Sequence, residues 1–194
     1  MATYLSVSEY KTYKGITNND DDALIDSLID SAQLWLDKAA KRTLYASSDT
    51  TRYFDSYDDA DGRVLYIDDD LCSITSVTID GTSLASTEYT TNPRNETPYY
   101  ELIMKRNSDY SWTDDNDSGD YDAEDAIAIT GKWSYFSSVT DDLQQAMKRL
   151  TDYLYTQKDA GAFDVTAIPA AGVIEVPQGF PVDVMKWVKT VQRI

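Results

Sequence analysis

Two long segments of the chain carry apolar residues at the three- and four-residue spacing of an amphipathic helix. In the first segment the apolar positions are Leu24, Ile25, Leu28, Ile29, Ala32, Trp35, Leu36 and Ala39. In the second segment they are Leu143, Ala146, Met147, Leu150, Tyr153 and Leu154. Acidic residues open both segments, as the helix dipole favours. The spacing therefore predicts helices over residues 20–42 and 140–158.

A shorter helix is predicted before the first long one. Ser6 and Glu9 have the spacing of a capping box, in which each side chain accepts a hydrogen bond from the other residue's backbone. Gly15 stands where a left-handed residue commonly ends a helix. We therefore expect a helix over residues 6–14.

The middle of the chain changes to the two-residue alternation of β-strands. Runs rich in β-forming residues cover residues 51–55, 63–67, 74–80 and 99–104, and a further alternating run covers 126–130. Asp80-Gly81 between two such runs is a strong hairpin signal. These runs predict a β insertion over about residues 50–131.

The predicted fold class is α+β and mainly α. We expect an antiparallel helical bundle with a small inserted β-sheet or hairpin region, which together form one domain over residues 1–160. Residues 161–194 follow as an extended C-terminal arm that ends in a docking helix. Pro181 can open that helix, because a proline is tolerated in a first helical turn.

The C-terminal arm is apolar but has no long periodic pattern, and Pro169 and Pro177 interrupt it. It either folds back as an edge strand or is covered by another chain. The final helix carries Lys186, Lys189 and Arg193 against one acid, Asp183. This basic helix on an acidic body fits docking on another subunit, or it caps its own bundle.

Composition narrows the function further. The chain has 194 residues, with 17 Lys and Arg against 34 Asp and Glu, for a formal charge of -17. Such a surface repels nucleic-acid phosphates. No histidine occurs, which excludes histidine-based triads and histidine-ligated zinc. No apolar run is long enough for a membrane helix, and fifteen tyrosines favour interfaces.

An acidic segment over residues 109–125 matches part of a calcium-loop template. The candidate ligands are Asp114, Asn116, Ser118, Asp120 and Asp125. Two features argue against a calcium site. The last position of the loop is Asp, where a bidentate Glu is usual, and the flanking segments do not have the pattern of two helices. The alternative is a solvated loop, and no other cofactor is expected. A carboxylate enzyme or a calcium-dependent carbohydrate binder stays open as a hypothesis of another class.

The order of several segments resembles the head-to-tail connector family of tailed bacteriophages, also called adaptor or head-completion proteins. The segments that carry this resemblance are YLSVSEYKTYKGITNNDDDALIDSLIDSAQLWLDKAAKRTLY, TRYFD, RVLYIDDDLCSITSVTIDG, AIAITGKWSYFSSVTDDLQQAMKRLTDYLYTQKD and VPQGFPVDVMKWVKTVQRI. Together they cover nearly the whole chain. The acidic segment over residues 109–125 is less typical of the family.

The resemblance implies a structural virion protein without catalytic activity. Members form a ring, usually twelvefold, under the portal in the neck between capsid and tail, after assembly in the host cytoplasm. The ring extends the DNA channel, through which genomic DNA passes without sequence-specific binding, and a stopper or tail-completion protein attaches to it. The portal-binding candidates are Val173, Ile174, Val176, Phe180, Met185, Lys186, Trp187, Lys189, Val191 and Arg193. The alternative is another neck component, such as a stopper or tail terminator.

Overall fold

The computed structural model describes residues 3–112, 124–160 and 180–193, with only the backbone described for residues 158–160. The chain divides into two compact units. The sheet unit is Arg42–Ser138, and the helical unit combines Thr3–Lys41 with Val139–Ile194. The helical unit is therefore built from two separate parts of the sequence.

Four helices form the helical unit: α1 (Val7–Lys14), α2 (Asp22–Ala40), α3 (Asp141–Ala160) and α4 (Val182–Val191). Helix α2 packs against the other three, and α3 also packs against α1 and α4. The buried apolar side chains of this unit are Tyr4, Leu5, Tyr10, Ile25, Ile29, Ala32, Leu36, Ala40, Leu143, Ala146, Met147, Leu150, Val184, Val188 and Val191. Among the described residues, none of the helices combines the length and the hydrophobicity that crossing a bilayer requires.

Local sequence explains how α1 begins and ends. The Glu9 backbone N–H donates to Ser6 Oγ at 3.2 Å, and the Ser6 backbone N–H donates to Glu9 Oε2 at 2.8 Å. Gly15 follows the helix with a φ of 76°, in the left-handed region that glycine adopts without a steric penalty. The capping box and the glycine end of this helix are therefore confirmed.

Seven strands form the sheet unit: β1 (Thr50–Phe54), β2 (Ala60–Asp61), β3 (Val64–Ile79), β4 (Thr82–Leu84), β5 (Tyr89–Asn92), β6 (Tyr99–Met104) and β7 (Ile127–Trp133). All the pairings among them are antiparallel, in the order β1-β7-β3-β6-β5, and β2 and β4 also pair with β3. Ile79 pairs with Thr82 across Asp80-Gly81, whose two residues have positive φ. The hairpin predicted at this dipeptide is confirmed.

A separate hydrophobic core holds the sheet unit together. Its buried members are Phe54, Leu65, Ile67, Leu71, Val77, Leu84, Tyr89, Leu102, Met104, Trp112, Ile127, Ile129 and Trp133. The indole N–H of Trp112 donates to the Arg63 carbonyl at 3.1 Å, and that of Trp133 donates to the Thr50 carbonyl at 2.9 Å. These two tryptophans therefore serve packing, as aromatic residues most often do, and their polar atoms are satisfied.

The expected fold class, mainly α with a small β insertion, is wrong. Over the described residues the chain is 34% helix and 28% strand, with one antiparallel sheet of seven strands and four short helices. Two of the predicted short runs, 63–67 and 74–80, belong to the single 16-residue strand β3. The three aspartates between these runs, Asp68 to Asp70, conceal the continuity because aspartate is disfavoured in strands.

Ion pairs explain how β3 accommodates that acidic run. The buried carboxylate of Asp70 lies 3.4 Å from Arg42 Nε and accepts a hydrogen bond from the Tyr100 hydroxyl at 3.1 Å. Asp69 pairs with Arg52 at 2.7 Å. The pairing register of β3 with β6 shifts between Tyr66 and Leu71, as it does at a bulge. Neutralised charges and a bulge together keep the strand continuous.

Candidate interaction site

Helix α4 has one face that packs within the helical unit. Val184, Val188 and Val191 are buried there, and the helix contacts both α2 and α3. Just before the helix, the Phe180 ring lies 3.9 Å from the Trp35 ring and 5.9 Å from the Tyr153 ring, measured between centroids. The apolar stripe of the final helix thus anchors it in its own unit.

The other side of α4 is exposed. Val182 is 68% exposed and Met185 is 37% exposed, and Lys186 and Lys189 are also exposed. Counted from Val182, the other three residues lie three, four and seven positions later, which places all four on one side of the helix. We call them the basic face of α4. It combines an apolar N-terminal half with two cations in its C-terminal half.

The ten predicted partner-binding residues therefore have different environments. Val173, Ile174 and Val176 lie outside the described residues. Val191 is buried, Phe180 packs against two aromatic rings, and the Arg193 backbone N–H donates to the Ala40 carbonyl at 2.9 Å. The exposed members of the set are Met185, Lys186 and Lys189, whereas Trp187 and Arg193 are half-buried.

Trp187 lines a shallow groove of about 180 Å³ along α3 and α4. The groove is lined by Asp142, Gln145, Ala146, Arg149, Asp183, Val184 and Trp187. The Arg149 guanidinium pairs with the Asp183 carboxylate at 2.7 Å across it. Because both members of this pair are largely exposed, it contributes little to stability, and it neutralises the one acid of α4.

Tyrosine hydroxyls bind carboxylates inside the helical unit. Tyr10 donates to Asp152 at 3.2 Å, and Tyr155 donates to Asp21 at 2.6 Å. Burial, and then the nearby Asp152, raise the pKa of Tyr10 well above its ordinary value. Such a tyrosine stays neutral at physiological pH. These contacts therefore link helices and do not prepare a nucleophile.

The sheet unit presents a second exposed surface at the turn after β1. Tyr57 is 86% exposed at this turn, Tyr53 in β1 is 61% exposed and Tyr66 in β3 is 48% exposed. The tyrosine–aspartate surface consists of Tyr53, Tyr57, Tyr66, Asp58, Asp59 and Asp68. Exposed tyrosine rings leave apolar area in water, and tyrosine is enriched at protein interfaces.

Backbone contacts hold this surface in place. The Asp59 N–H donates to the Asp55 carbonyl at 3.1 Å, and Asp59 Oδ2 accepts from the Asp55 N–H at 2.8 Å. The Tyr66 N–H donates to the Asp59 carbonyl at 2.9 Å, which ties the turn to β3. The tyrosines are therefore presented by a hydrogen-bonded turn and two strands.

One of these tyrosines, Tyr53, lines a groove of about 420 Å³ together with Arg52, Phe54, Asp59 and Asp68. Its one cation, Arg52, pairs with Asp69 and stacks over the Trp133 ring at 4.3 Å. Asp59 and Asp68 therefore give the groove a negative charge. The high tyrosine content indicated interfaces, but the sequence did not locate this one, because Tyr53 in β1 and Asp68 in β3 line one groove only in the folded chain.

The proposed calcium ligands Asp114, Asn116, Ser118 and Asp120 lie outside the described residues. Asp125 is exposed, has a φ of 56°, and donates its backbone N–H to Asp55 Oδ1 at 2.7 Å. Over residues 3–112, 124–160 and 180–193, no group of three or more acidic or cysteine side chains is arranged to hold a metal ion. The calcium site stays a prediction.

Comparison with known proteins identifies a related fold. No family model matches the sequence, and no curated protein matches it either. A chain from a solved structure described as the neck of an empty GTA particle, computed with C6 symmetry, is similar over 100% of this chain and 93% of its own length. The TM-score is 0.57 at 12% sequence identity. At this identity the likeness shows a shared fold.

Proposed function

We propose that this protein is a structural component of the neck of a phage-like particle. The observation that carries the proposal is the fold similarity, over the whole chain, to a chain from the neck of a GTA particle, a phage-like gene transfer agent. The sequence resemblance to head-to-tail connectors supports the same function independently, since it rests on the order of segments. A neck component has no reaction to catalyse.

In this proposal, copies of the chain form a ring that lies under the portal, extends the DNA channel and offers an attachment surface to stopper or tail proteins. The similar structure was computed with C6 symmetry, which agrees with a ring of six or of twelve copies. The charge of -17 also fits a channel protein, because repelled phosphates do not bind to an acidic wall.

We assign portal docking to the C-terminal region, residues 173–194. Deleting this whole region is a poor test, because Val184, Val188 and Val191 are buried in the helical unit and their loss would expose its core. The sharper variant changes Val173, Ile174 and Val176 to serine and keeps α4. Its matched control places serine at two exposed apolar positions of another helix, Leu24 and Leu34.

The experiment measures the mass of complexes by light scattering, for the chain alone and mixed with the portal protein of the same particle. We expect a large complex with the parent chain and with the control. The triple serine variant should bind portal at least tenfold more weakly. If no variant and no parent chain binds portal, the adaptor role is wrong, and binding to stopper or tail proteins then decides between the other neck roles.

A further inference from the structure

A closed ring of identical copies needs two different surfaces on each copy, because the contact between neighbours is heterologous. The two surfaces must be complementary in charge and in apolar area. This chain has two exposed surfaces that meet the requirement. They are the basic face of α4 in the helical unit and the tyrosine–aspartate surface in the sheet unit.

The basic face of α4 needs an acidic partner. Lys186 and Lys189 are exposed, and the acid nearest in sequence, Asp183, is already paired with Arg149 at 2.7 Å. Val182 and Met185 beside them add exposed apolar side chains. A partner that covers this face has to offer carboxylates next to apolar or aromatic area.

The tyrosine–aspartate surface offers that chemistry. Its aspartates outnumber the nearby cation Arg52, which also pairs with Asp69, so the surface has a net negative charge. Its three tyrosines present ring faces, which attract lysine cations and pack against methionine or valine. Tyrosine is also among the residues that contribute most to protein interfaces. Nucleic acid is a poor occupant, since its phosphates would meet the aspartates.

We propose that the basic face of α4 in one copy docks on the tyrosine–aspartate surface of the next copy. Lys186 and Lys189 lie against Asp58, Asp59 and Asp68, and Val182 and Met185 pack on the tyrosine rings. The inference rests on the ring in the proposed function, and it narrows the portal contact proposed there. It divides the C-terminal region, since α4 serves the neighbouring copy and Val173 to Val176 serve the portal.

Charge reversal on either surface tests this contact. A helix variant carries Lys186→Glu and Lys189→Glu, and a sheet variant carries Asp58→Lys and Asp68→Lys. Asp59 is left unchanged because its side chain accepts a hydrogen bond within the turn. A control with Lys38→Glu and Arg94→Glu matches the charge change of the helix variant at other exposed positions. Sedimentation velocity measures self-association of the full-length chains over a range of concentrations.

The parent chain and the control should self-associate, and each reversed variant alone should do so at least tenfold more weakly. An equimolar mixture of the two variants should regain self-association. The glutamates on α4 of the helix variant meet the lysines of the sheet variant, and the unchanged lysines on α4 of the sheet variant meet the aspartates of the helix variant, so both contacts between unlike copies join opposite charges. A chain that carries all four substitutions should regain self-association, since both of its surfaces are reversed together.

Three results would overturn the inference. One is a mixture of the two variants that remains monomeric while circular dichroism shows both to be folded. Another is that both variants self-associate as strongly as the parent, which would mean that the ring forms through other surfaces. The third is a parent chain that remains monomeric at millimolar concentration. Portal binding, measured separately, reports on the neck function in each case.

Discussion

Gly131 in β7 lies so close to β3 that a Cβ atom there would overlap the Ser73 carbonyl oxygen. The neighbouring atom belongs to the backbone of a paired strand, so it cannot rotate away. We expect Gly131→Ala to lower the free energy of unfolding by about 2–3 kcal/mol, as for overpacked cores. Urea denaturation monitored by tryptophan fluorescence measures this loss.

The matched control is Gly81→Ala in the β3–β4 turn. No atom lies within 4 Å of a Cβ atom at that position, but φ is +73°, so its cost is backbone strain of about 1 kcal/mol. If Gly131→Ala lowers the free energy of unfolding no more than Gly81→Ala does, the steric argument is wrong.

The Asp70 carboxylate, 1% exposed, faces the Arg42 guanidinium, 9% exposed. Asp70→Asn removes the counter-charge and leaves the cation buried, so unfolding free energy should fall by about 3–5 kcal/mol. Asp69→Asn is the control, because the Asp69–Arg52 pair is more exposed and should cost about 1 kcal/mol or less. The midpoints of thermal unfolding of the two variants measure the difference. Equal midpoints would show that the buried ion pair stabilises the protein no more than the exposed one.

The same residues show what the sequence could not reveal. From the neighbouring sequence alone, Asp68, Asp69 and Asp70 are all expected to be exposed to solvent. The partners that make a buried carboxylate tolerable, Arg42 and Tyr100, are distant in sequence and meet Asp70 only in the folded sheet. Local propensity therefore ended the strand at the aspartates, although the sheet continues through them.

At the scale of elements, the capping box of α1 couples stability to pH. The hydrogen bonds from the Ser6 side chain and then from the Ser6 backbone lower the pKa of Glu9 from its ordinary value of 4.5. A lowered folded-state pKa means that Glu9 contributes stability above pH 4.5, which is lost as the pH falls through the folded-state pKa. Glu9→Gln should therefore destabilise the protein at pH 7 and lose this effect in acid.

Chemical denaturation of the parent and of Glu9→Gln, at pH 7 and at steps below pH 4.5, measures this difference. Ser6→Ala should cost about 1 kcal/mol at pH 7, as for other N-caps. In a Ser6→Ala background, the effect of Glu9→Gln on the free energy of unfolding should depend less on pH, because the Ser6 side-chain hydrogen bond, the main cause of the lowered Glu9 pKa, is absent. If the pH dependence is unchanged by Ser6→Ala, the Ser6 side chain does not cause the lowered pKa of Glu9.

Helices and strands differed in how far the sequence located them. The apolar spacing in α2 and α3 and the caps of α1 are local, so they can be read within a few residues. The sheet depends on pairings such as Ile79 with Ile127, which no local pattern encodes. For α4, the sequence predicted the helix, but not that Met185 would be exposed while Val184 and Val188 are buried.

At the scale of the whole molecule, the charge of -17 predicts weak interaction with DNA. Fluorescence anisotropy of a labelled duplex should show no binding at protein concentrations of about 10 µM, where basic proteins already bind non-specifically. Low ionic strength should not create binding, because it strengthens the repulsion between like charges. Binding that weakens with added salt would contradict this expectation and would point to a local basic surface.

The division of the chain into units also sets the order in which they can form. The sheet unit is continuous in sequence, whereas the helical unit needs both Thr3–Lys41 and Val139–Ile194. On the ribosome, β7 completes the sheet while α2 still lacks its partners α3 and α4. Translation of the roughly 60 residues between β7 and the end of α4 takes about 3 to 12 s at typical rates of synthesis. Because α4 is the last of these helices to be translated, part of the apolar face of α2 stays uncovered until α4 docks on it.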